Sequence, residues 1–537
     1  MYIIENKYIL INTLRKMLIF FLFFILSNVD SYKILIYNPK FAISHMSYFS
    51  NIADILVEAG HDVTVLCPEM SMDIKHPGSK KGKNINYPGH PIAYKLLTNN
   101  TSLDNIWKSN ESTEDQLEIL TTLFTSLYHQ SLKIFNDEEF MKNMTNEKFD
   151  FAIAESINLH AFGFFKIWGI NAYASATSTP MLNILYKDFG LHFPSSFVPT
   201  LLNTFGEKIT YTERILNIVN HLALLFYESH TFEERSLQRH FNKKFGPNVY
   251  DAKTFIGDSS FLLLNSIPIL NDPFPKSPKM LEIGGLNLEK PNKLNEYWDN
   301  LLSIRKKNVL ISFGSLIKCS KMLLSMKNGI IKTAEVMKDI TFIWKYDNIS
   351  DLESKVPKNL ILKTWIPQYD IISDKRLNIF INHAGINSLF EAVYSGVLSL
   401  NIPICNDQFN NAKVAQNLNI AKTIHKEDLS NSDFLVKKIK EMMEDKKLLE
   451  NVKLFSDLLK NQPISGKELL VRYVEYGAKF GSLKQLDLRS KNMNFIEYHN
   501  LDIYLPIAII FIILILKIIM FIRKQFNDYY QIKYKTD

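Results

Sequence analysis

The sequence predicts an α/β protein of two doubly wound domains facing a cleft, with one transmembrane helix near its C terminus. Three observations carry that prediction. Apolar runs of strand length alternate with helical patterns in both halves of the 537 residues, the pattern of parallel sheets covered by helices. A proline-rich break between Pro268 and Lys293 separates two such series. An apolar run from Tyr504 to Ile522, interrupted only by Lys517, has the length of about 20 residues that a bilayer crossing needs.

The elements follow in order. Arg15 and Lys16 precede the apolar stretch "MLIFFLFFIL" and the polar "SNVDSYK". This is the layout of a secretory signal, assigned to residues 1–31. The polar start leaves Met17 open as the initiator, and an N-terminal anchor is the alternative. In the first domain, 32–285, "KILIY" is a strand, "MSYFSNIADILVEAG" a helix closed by Gly60, and "DVTVL" the next strand, together a βαβ unit. "FDFAIAE", Phe149 to Glu155, is a further strand, and Thr200 to Phe245 is mostly helical. Residues 286–307 are expected to be a linker. In the second domain, 308–490, "NVLISFGS", "ITFIW", "LILK", "LNIFIN" and "VLSLNIP" are strands with helices between them, and a helix at its end returns to the first domain. The span at 504–522 is followed by Arg523 and Lys524, which puts the tail, 523–537, in the cytosol and the body outside it. Sequons at Asn99, Asn100, Asn110, Asn143 and Asn348 agree with a glycoprotein. The terminal "KYKTD" is either a dilysine-type retrieval signal for the endoplasmic reticulum or a solvated end.

Composition narrows the class. An apolar share of 46% and a charged share of 22% are those of a globular protein. The net charge of +7 is spread over the whole length, and without a basic block interleaved with aromatics it does not point to nucleic acid. The three cysteines, Cys67, Cys319 and Cys405, have no zinc spacing and are expected to be inert thiols.

Polar residues fall just after the apolar runs of the second half, where a doubly wound sheet holds its ligand. "SFGS", ending at Ser315, is a small turn whose N–H groups can approach a phosphate. In "TWIPQ", Trp365 offers a flat face and Gln368 an amide, a pair suited to a base. His383, Gly385, Asn387 and Ser388 lie where a strand passes into a helix, whose N-terminal N–H groups attract anions. Glu391, one turn on, can accept two hydroxyls, and Asp407 with Gln408 ends the next run with the acceptors and donors a sugar needs.

"WIPQ", "HAGINSLFEA" and "IPICNDQ" together resemble the signature of the UDP-glycosyltransferase family. "EAGHDVTVL", "IGGL", "SFGS" and the span after "EYHNLDIY" extend the resemblance over nearly the whole chain, which is most similar to nematode members of the membrane-bound animal branch. The resemblance implies a GT-B fold, an N-terminal domain for acceptor and a C-terminal domain for UDP-sugar. It implies that Trp365 stacks on uracil with Gln368 nearby, and that Glu391 takes the ribose. Ser315, His383, Asn387 and Ser388 then hold the diphosphate, Asp407 and Gln408 the hexose, and Gly385 belongs to the same UDP-sugar site. "NPKFAISHMSYF" matches the family's loop after the first strand, so His45 is the implied base. Glu155 stands where the family has an aspartate as that histidine's partner.

The implied reaction is inverting transfer of a hexose to a hydroxyl or carboxyl of a small lipophilic acceptor, a conjugation of the detoxification type. A histidine takes the acceptor's proton and a carboxylate fixes its tautomer. UDP leaves toward the helix N terminus and His383. No Asp-x-Asp motif is present for a metal–diphosphate, so neither a metal nor a cofactor is expected beyond the donor. Vertebrate glucuronosyltransferases carry an arginine near "LLLNSIPI", but no arginine occurs between Asp251 and Pro291; UDP-glucose is therefore favoured over UDP-glucuronate. A catalytically silent UDP-sugar binder is the rival of another class. Ala384, Asn382 and Leu398 depart from the family's common glycine, Thr or Ser, and proline. The expected location is the endoplasmic reticulum membrane, single-pass type I with a lumenal body in contact with lipid. Homo- or hetero-oligomerisation is left open.

Overall fold

The computed structural model describes residues 30–536 apart from 73, 99–104, 109–112, 201–202, 204–208, 289, 316 and 353–355. The signal assigned to 1–31 thus lies outside the described residues but for Asp30 and Ser31, as do the sequons at Asn99, Asn100 and Asn110.

Among the described residues, thirteen strands form two wholly parallel sheets. The first contains β1 (Lys33–Tyr37), β2 (Asp62–Pro68), β3 (Lys83–Tyr87), β4 (Phe151–Glu155), β5 (Tyr173–Thr177), β6 (Leu262–Leu264) and β7 (Met280–Glu282). Its order is β3-β2-β1-β4-β5-β6-β7. The second contains β8 (Lys307–Ser312), β9 (Ile340–Lys345), β10 (Leu360–Lys363), β11 (Leu377–Asn382), β12 (Leu398–Asn401) and β13 (Ala421–Thr423), in the order β10-β9-β8-β11-β12-β13. The central strands, such as β1, β4, β8 and β11, are near-continuous apolar runs because helices cover both faces of each sheet. Strand direction of travel reverses between β1 and β4 in the first sheet and between β8 and β11 in the second. Such switch points open a crevice at the carboxyl ends of the strands.

The helices that matter below are α1 (Ile43–Glu58), α2 (Thr113–Asn136), α3 (Tyr211–His230), α4 (Glu296–Ser303), α5 (Ile386–Ser395), α6 (Gln408–Asn417), α7 (Gly466–Phe480) and α8 (Leu501–Thr536). Helix α4 occupies much of the stretch 286–307 expected as a linker. Its Trp298, Leu301 and Leu302 are buried in one cluster with Leu310 and Phe380 of the second sheet, because an amphipathic octamer can bury a stripe that a free connector would expose. Helix α7 returns to the first sheet, where Leu470 and Val474 pack with Ile34 and Phe151. Its Gly466 lies so near Ile283 and Gly284 that a Cβ would stand 2.6 Å from the Ile283 carbonyl oxygen. The chain therefore enters and leaves the second unit at one place. Beyond α7, Ser490 donates to the Gly190 carbonyl at 2.6 Å and Lys491 to that of Gly257 at 2.8 Å. The rings of Tyr498 and His192 are 3.9 Å apart. The stretch leading into α8 is thus sewn to the first domain. Within Leu501–Tyr530 of α8 an 18-residue window has a mean hydropathy of 3.1 and none of it is buried, so the helix is long and apolar enough to cross a membrane.

One segment of the first domain is sunk into the second. Trp107 is 1% exposed within the core around Phe313 and Ile331. Its ring meets Phe313 edge-on at 5.3 Å, and its Nε1 donates to the Lys318 carbonyl at 2.9 Å. The Lys426 amine closes over it, donating to the Ile106 carbonyl at 2.9 Å. Truncating a buried Trp costs about 3–5 kcal/mol. Trp107→Ala should lower the chemical-unfolding midpoint of the full-length protein by that equivalent, measured by fluorescence in detergent.

Candidate active site

His45 lies in the first turns of α1 and Glu155 ends β4, so both stand at the first sheet's switch point. Nδ1 of His45 is 2.9 Å from Oε2 of Glu155. The carboxylate is 3% exposed and the imidazole 21%: one is buried as an anchor and the other reaches the cleft. Nδ1–H donating to a carboxylate leaves Nε2 as the acceptor. The longer Glu155 is steadied by Ser178, just beyond β5, whose N–H donates to its Oε1 at 3.0 Å. Ser178 Oγ is 2.7 Å from His45 Nδ1. Phe41 stacks at a tilt 4.7 Å from the His45 ring and belongs to an apolar cluster with Phe124 and Leu127 of α2, flanked by Ile157 and by Tyr227 of α3. The base candidate thus borders an apolar wall.

The second sheet's switch point holds the other candidates. After β8, Gly314 (φ +81°) takes a backbone conformation only glycine adopts without strain. A Cβ there would stand 2.7 Å from Nε2 of His383, and one at Gly385 2.8 Å from it. His383, following β11, is therefore held between two glycines. Burial, with Lys345 nearby, pushes its pKa down to about 4. It is neutral at physiological pH, so it can bring an N–H rather than a positive charge. Its Nδ1 is buried with no hydrogen-bond partner among the described residues. Ser315 is exposed beside it on the loop.

Helix α5 starts at Gly385, which provides no side-chain cap. The N–H groups of its first turn, carrying Asn387 and Ser388, are thus open to an anion. Ala384 has φ 59°, a left-handed conformation that costs a non-glycine residue about 1–2 kcal/mol. Two contacts hold it there. Its N–H donates to Asn382 Oδ1 at 2.7 Å, and its carbonyl accepts from Asn411 Nδ2 at 3.1 Å. Asn382 and Ala384, both departures from the family pattern, thus form one compensated unit. Leu398, 5% exposed, packs in the core of the second unit.

Glu391, on α5, accepts from Gln368 Nε2 at 2.7 Å and from Asn287 Nδ2 at 3.2 Å. Gln368 also receives the Ser312 hydroxyl at 2.8 Å and donates to Ser388 Oγ at 3.3 Å. Both its donors are spent within the protein, so it positions Glu391 rather than offering a free edge to a base. Desolvation, with Asp370 close by, raises the Glu391 pKa to about 7. Trp365 is 71% exposed, with the Lys345 amine 5.2 Å from its ring centre and donating to the Gly314 carbonyl at 3.0 Å.

The Asp-Gln pair is split. The Gln408 amide oxygen accepts the N–H groups of Ile404 and Cys405 at 2.9 and 3.1 Å, and the residue is 7% exposed. Its NH2 also donates to Cys405 Sγ at 3.4 Å, so one N–H is left to offer, because the tight turn before α6 uses the amide oxygen for its own backbone. Asp407 accepts from Asn411 Nδ2 at 2.7 Å. Burial raises its pKa, and opposing interactions, His45 among them, act to lower it. A cavity between the halves is lined by Asp407, Asn411, Thr179, Met181, Asn183 and Thr200 among others.

The structure thus gathers His45 and Glu155 on one wall and Ser315, Trp365, Gln368, His383, Gly385, Asn387, Ser388, Glu391, Asp407 and Gln408 on the other. Ser178, Asn265, Asn287 and Lys345 were not anticipated as site residues. Lys345 follows "ITFIW" just as the recognised residues follow their runs, and that same signal would have found it.

Among solved structures, the glycosyltransferase described as Phytolacca americana UGT2 complexed with UDP-2fluoro-glucose and pterostilbene matches 84% of this chain and 100% of its own, at a TM-score of 0.52 and 15% identity. The calicheamicin glycosyltransferase CalG4 matches 84% and 99%, at 0.51 and 12%. These likenesses show the GT-B fold. A putative UDP-glucuronosyltransferase of Caenorhabditis elegans, ugt-56, is 27% identical over 84% of this chain and 86% of its own. Human UDP-glucuronosyltransferase 2B7 is 23% identical over 89% and 90%. The sequence pattern of the family described as UDP-glucoronosyl and UDP-glucosyl transferase matches residues 33–536, so the chain belongs to that family and is a glycosyltransferase.

Proposed function

We propose that the protein transfers a hexose, with glucose favoured, from its UDP-sugar to a hydroxyl or carboxyl of a small lipophilic acceptor, inverting the anomeric centre. The observation that carries this reading is the pairing of two switch points across one cleft. The His45–Glu155 pair stands at one switch point and the uncapped start of α5 at the other, and Asn265 of the first domain donates to Asn387 of the second at 3.2 Å. His45 Nε2 takes the acceptor's proton while Glu155 holds the tautomer. The acceptor oxygen attacks the anomeric carbon as its bond to the diphosphate breaks. The leaving diphosphate is met by the N–H groups at Asn387 and Ser388, the Ser315 loop and a neutral His383 donor. Trp365 stacks on uracil, Glu391 accepts the ribose hydroxyls, and Asp407 with the Gln408 NH2 holds the hexose. This route needs no metal.

Glucose is favoured because no arginine occurs between Asp251 and Pro291 to pair with a glucuronate carboxylate. The names of the curated relatives point instead to glucuronate. Released UDP, measured with each donor and a panel of phenols, alcohols and acids, decides between them. Turnover with UDP-glucuronate alone overturns the glucose reading, and UDP binding without turnover of any donor identifies a silent member. The apolar wall of Phe41, Phe124 and Tyr227 supports the lipophilic acceptor and a conjugating role. The body is proposed to be lumenal in the endoplasmic reticulum membrane; protease protection in sealed microsomes tests that orientation.

A pH prediction follows from Glu391. Its pKa of about 7 means that it is protonated below neutrality. A ribose diol donates to the ionised form and so binds best above pH 7. UDP affinity should fall about tenfold from pH 8 to pH 6, read by calorimetry, and Glu391→Gln should flatten that dependence.

A further inference from the structure

We propose that Asn265 is a positioning residue that couples the two walls of the site, aiming the Asn387 amide at the leaving diphosphate while fixing the peptide that holds Glu155. The proposal rests on the donor reading above. Asn265 follows β6 and is 1% exposed. Its Nδ2 donates to the Ser178 carbonyl at 2.8 Å and to Asn387 Oδ1 at 3.2 Å. A primary amide has two N–H donors, and here one goes to each domain.

The order of cause runs from the backbone outward. The Ser178 carbonyl can only accept, so it must face the NH2 of Asn265; a flipped Asn265 would set two oxygens together. With the NH2 fixed, its second N–H can face only the oxygen of Asn387, since a flipped Asn387 would set two donors together. Amide orientation is therefore decided along the chain Ser178–Asn265–Asn387 rather than left free. The planar Asn387 amide then directs its NH2 away from Asn265, in the first turn of a helix whose N–H groups are uncapped. Asn387 thus faces the diphosphate as a donor. In the other direction, the Ser178 peptide is tied at its carbonyl by Asn265 and holds Glu155 Oε1 through its N–H at 3.0 Å. That leaves Oε2 for His45 at 2.9 Å. A glutamate has one more rotatable bond than an aspartate, so this second anchor keeps the carboxylate under the imidazole. Displacement at the anomeric carbon needs the base and the leaving group aligned, and one amide registers both.

The test compares full-length wild type, Asn265→Asp, Asn387→Ala and the double variant, by UDP calorimetry and by turnover. Aspartate has the same shape and no donor. It repels the Ser178 carbonyl and draws the Asn387 NH2 inward, leaving the amide oxygen toward the diphosphate. Asn265→Asp is expected to weaken UDP about tenfold and to lower kcat about 30-fold or more. In the Asn387→Ala background its effect on UDP should fall below about twofold, while the loss in kcat through Ser178 persists. If Asn265→Asp does not fold, Asn265→Ala takes its place in the same cycle. Independent, multiplying effects of the two positions on UDP overturn the coupling, as does a variant with lowered thermal stability but unchanged kcat and UDP affinity. Either result leaves the donor reading standing. A wild type that neither binds UDP nor turns over a UDP-sugar overturns the donor reading and this inference together.

Discussion

His45→Ala should lower kcat by about 10²–10⁴-fold and leave UDP affinity within about twofold of wild type. The split follows from the geometry. The imidazole stands on the first domain at the end of β1, 2.9 Å from a buried carboxylate, whereas the base, ribose and phosphate subsites proposed for UDP lie on the second. A hydroxyl stays a poor nucleophile until its proton is accepted, and no other imidazole is hydrogen-bonded to Glu155 among the described residues. Glu155→Gln should retain more activity than His45→Ala, because an amide can still accept from Nδ1–H but does not stabilise the imidazolium. Turnover by His45→Ala within about tenfold of wild type would sink the assignment of the base.

Glu391→Ala should weaken UDP by about 100-fold or more, with a smaller effect on kcat at saturating donor. Two hydroxyls donating to one carboxylate are charge-assisted bonds worth about 1.5–3 kcal/mol each. The truncation also strands Gln368 Nε2 and Asn287 Nδ2, which now end on the two carboxylate oxygens. Calorimetry with UDP and with uracil separates the contributions, since stacking on Trp365 should survive for the free base. Equal UDP affinity in the variant and wild type would remove Glu391 from the donor site.

The parts of this arrangement that could be read from the sequence are those where a long apolar run ends in polar residues. β1, β8, β10 and β11 coincide within a residue or two with runs visible in the sequence. His383 and Asn387 stand at a strand–helix junction as expected. Strands β3, β5, β6, β7 and β13 escaped notice. β3 reads "KNINY", half-exposed and polar, β5 reads "YASAT", made mostly of small residues, and the other three are only three residues long. Their pairing comes from neighbours rather than from their own pattern. Ser178 and Asn265 follow two strands, β5 and β6, that no run announced. The side-chain allegiances of Gln368 and Gln408 were equally hidden, because a glutamine's partners depend on which backbone groups a turn leaves open. Trp107 gave no warning of its destination: a tryptophan among polar residues reads as surface until the second domain closes over it.

The meeting of Gly466 with Ile283 and Gly284 has a mechanical consequence. A unit that joins its neighbour through two crossings side by side is hung on a single pivot, and it turns without stretching either crossing. Because α7 and the segment after it are fastened to the first domain, a tether at α8 loads that domain and leaves the other as the swinging member. Fastenings that resist the swing include the Trp107 plug, the Lys426 clasp and the Asn265–Asn387 bond. Each is a discrete catch that a single substitution can release.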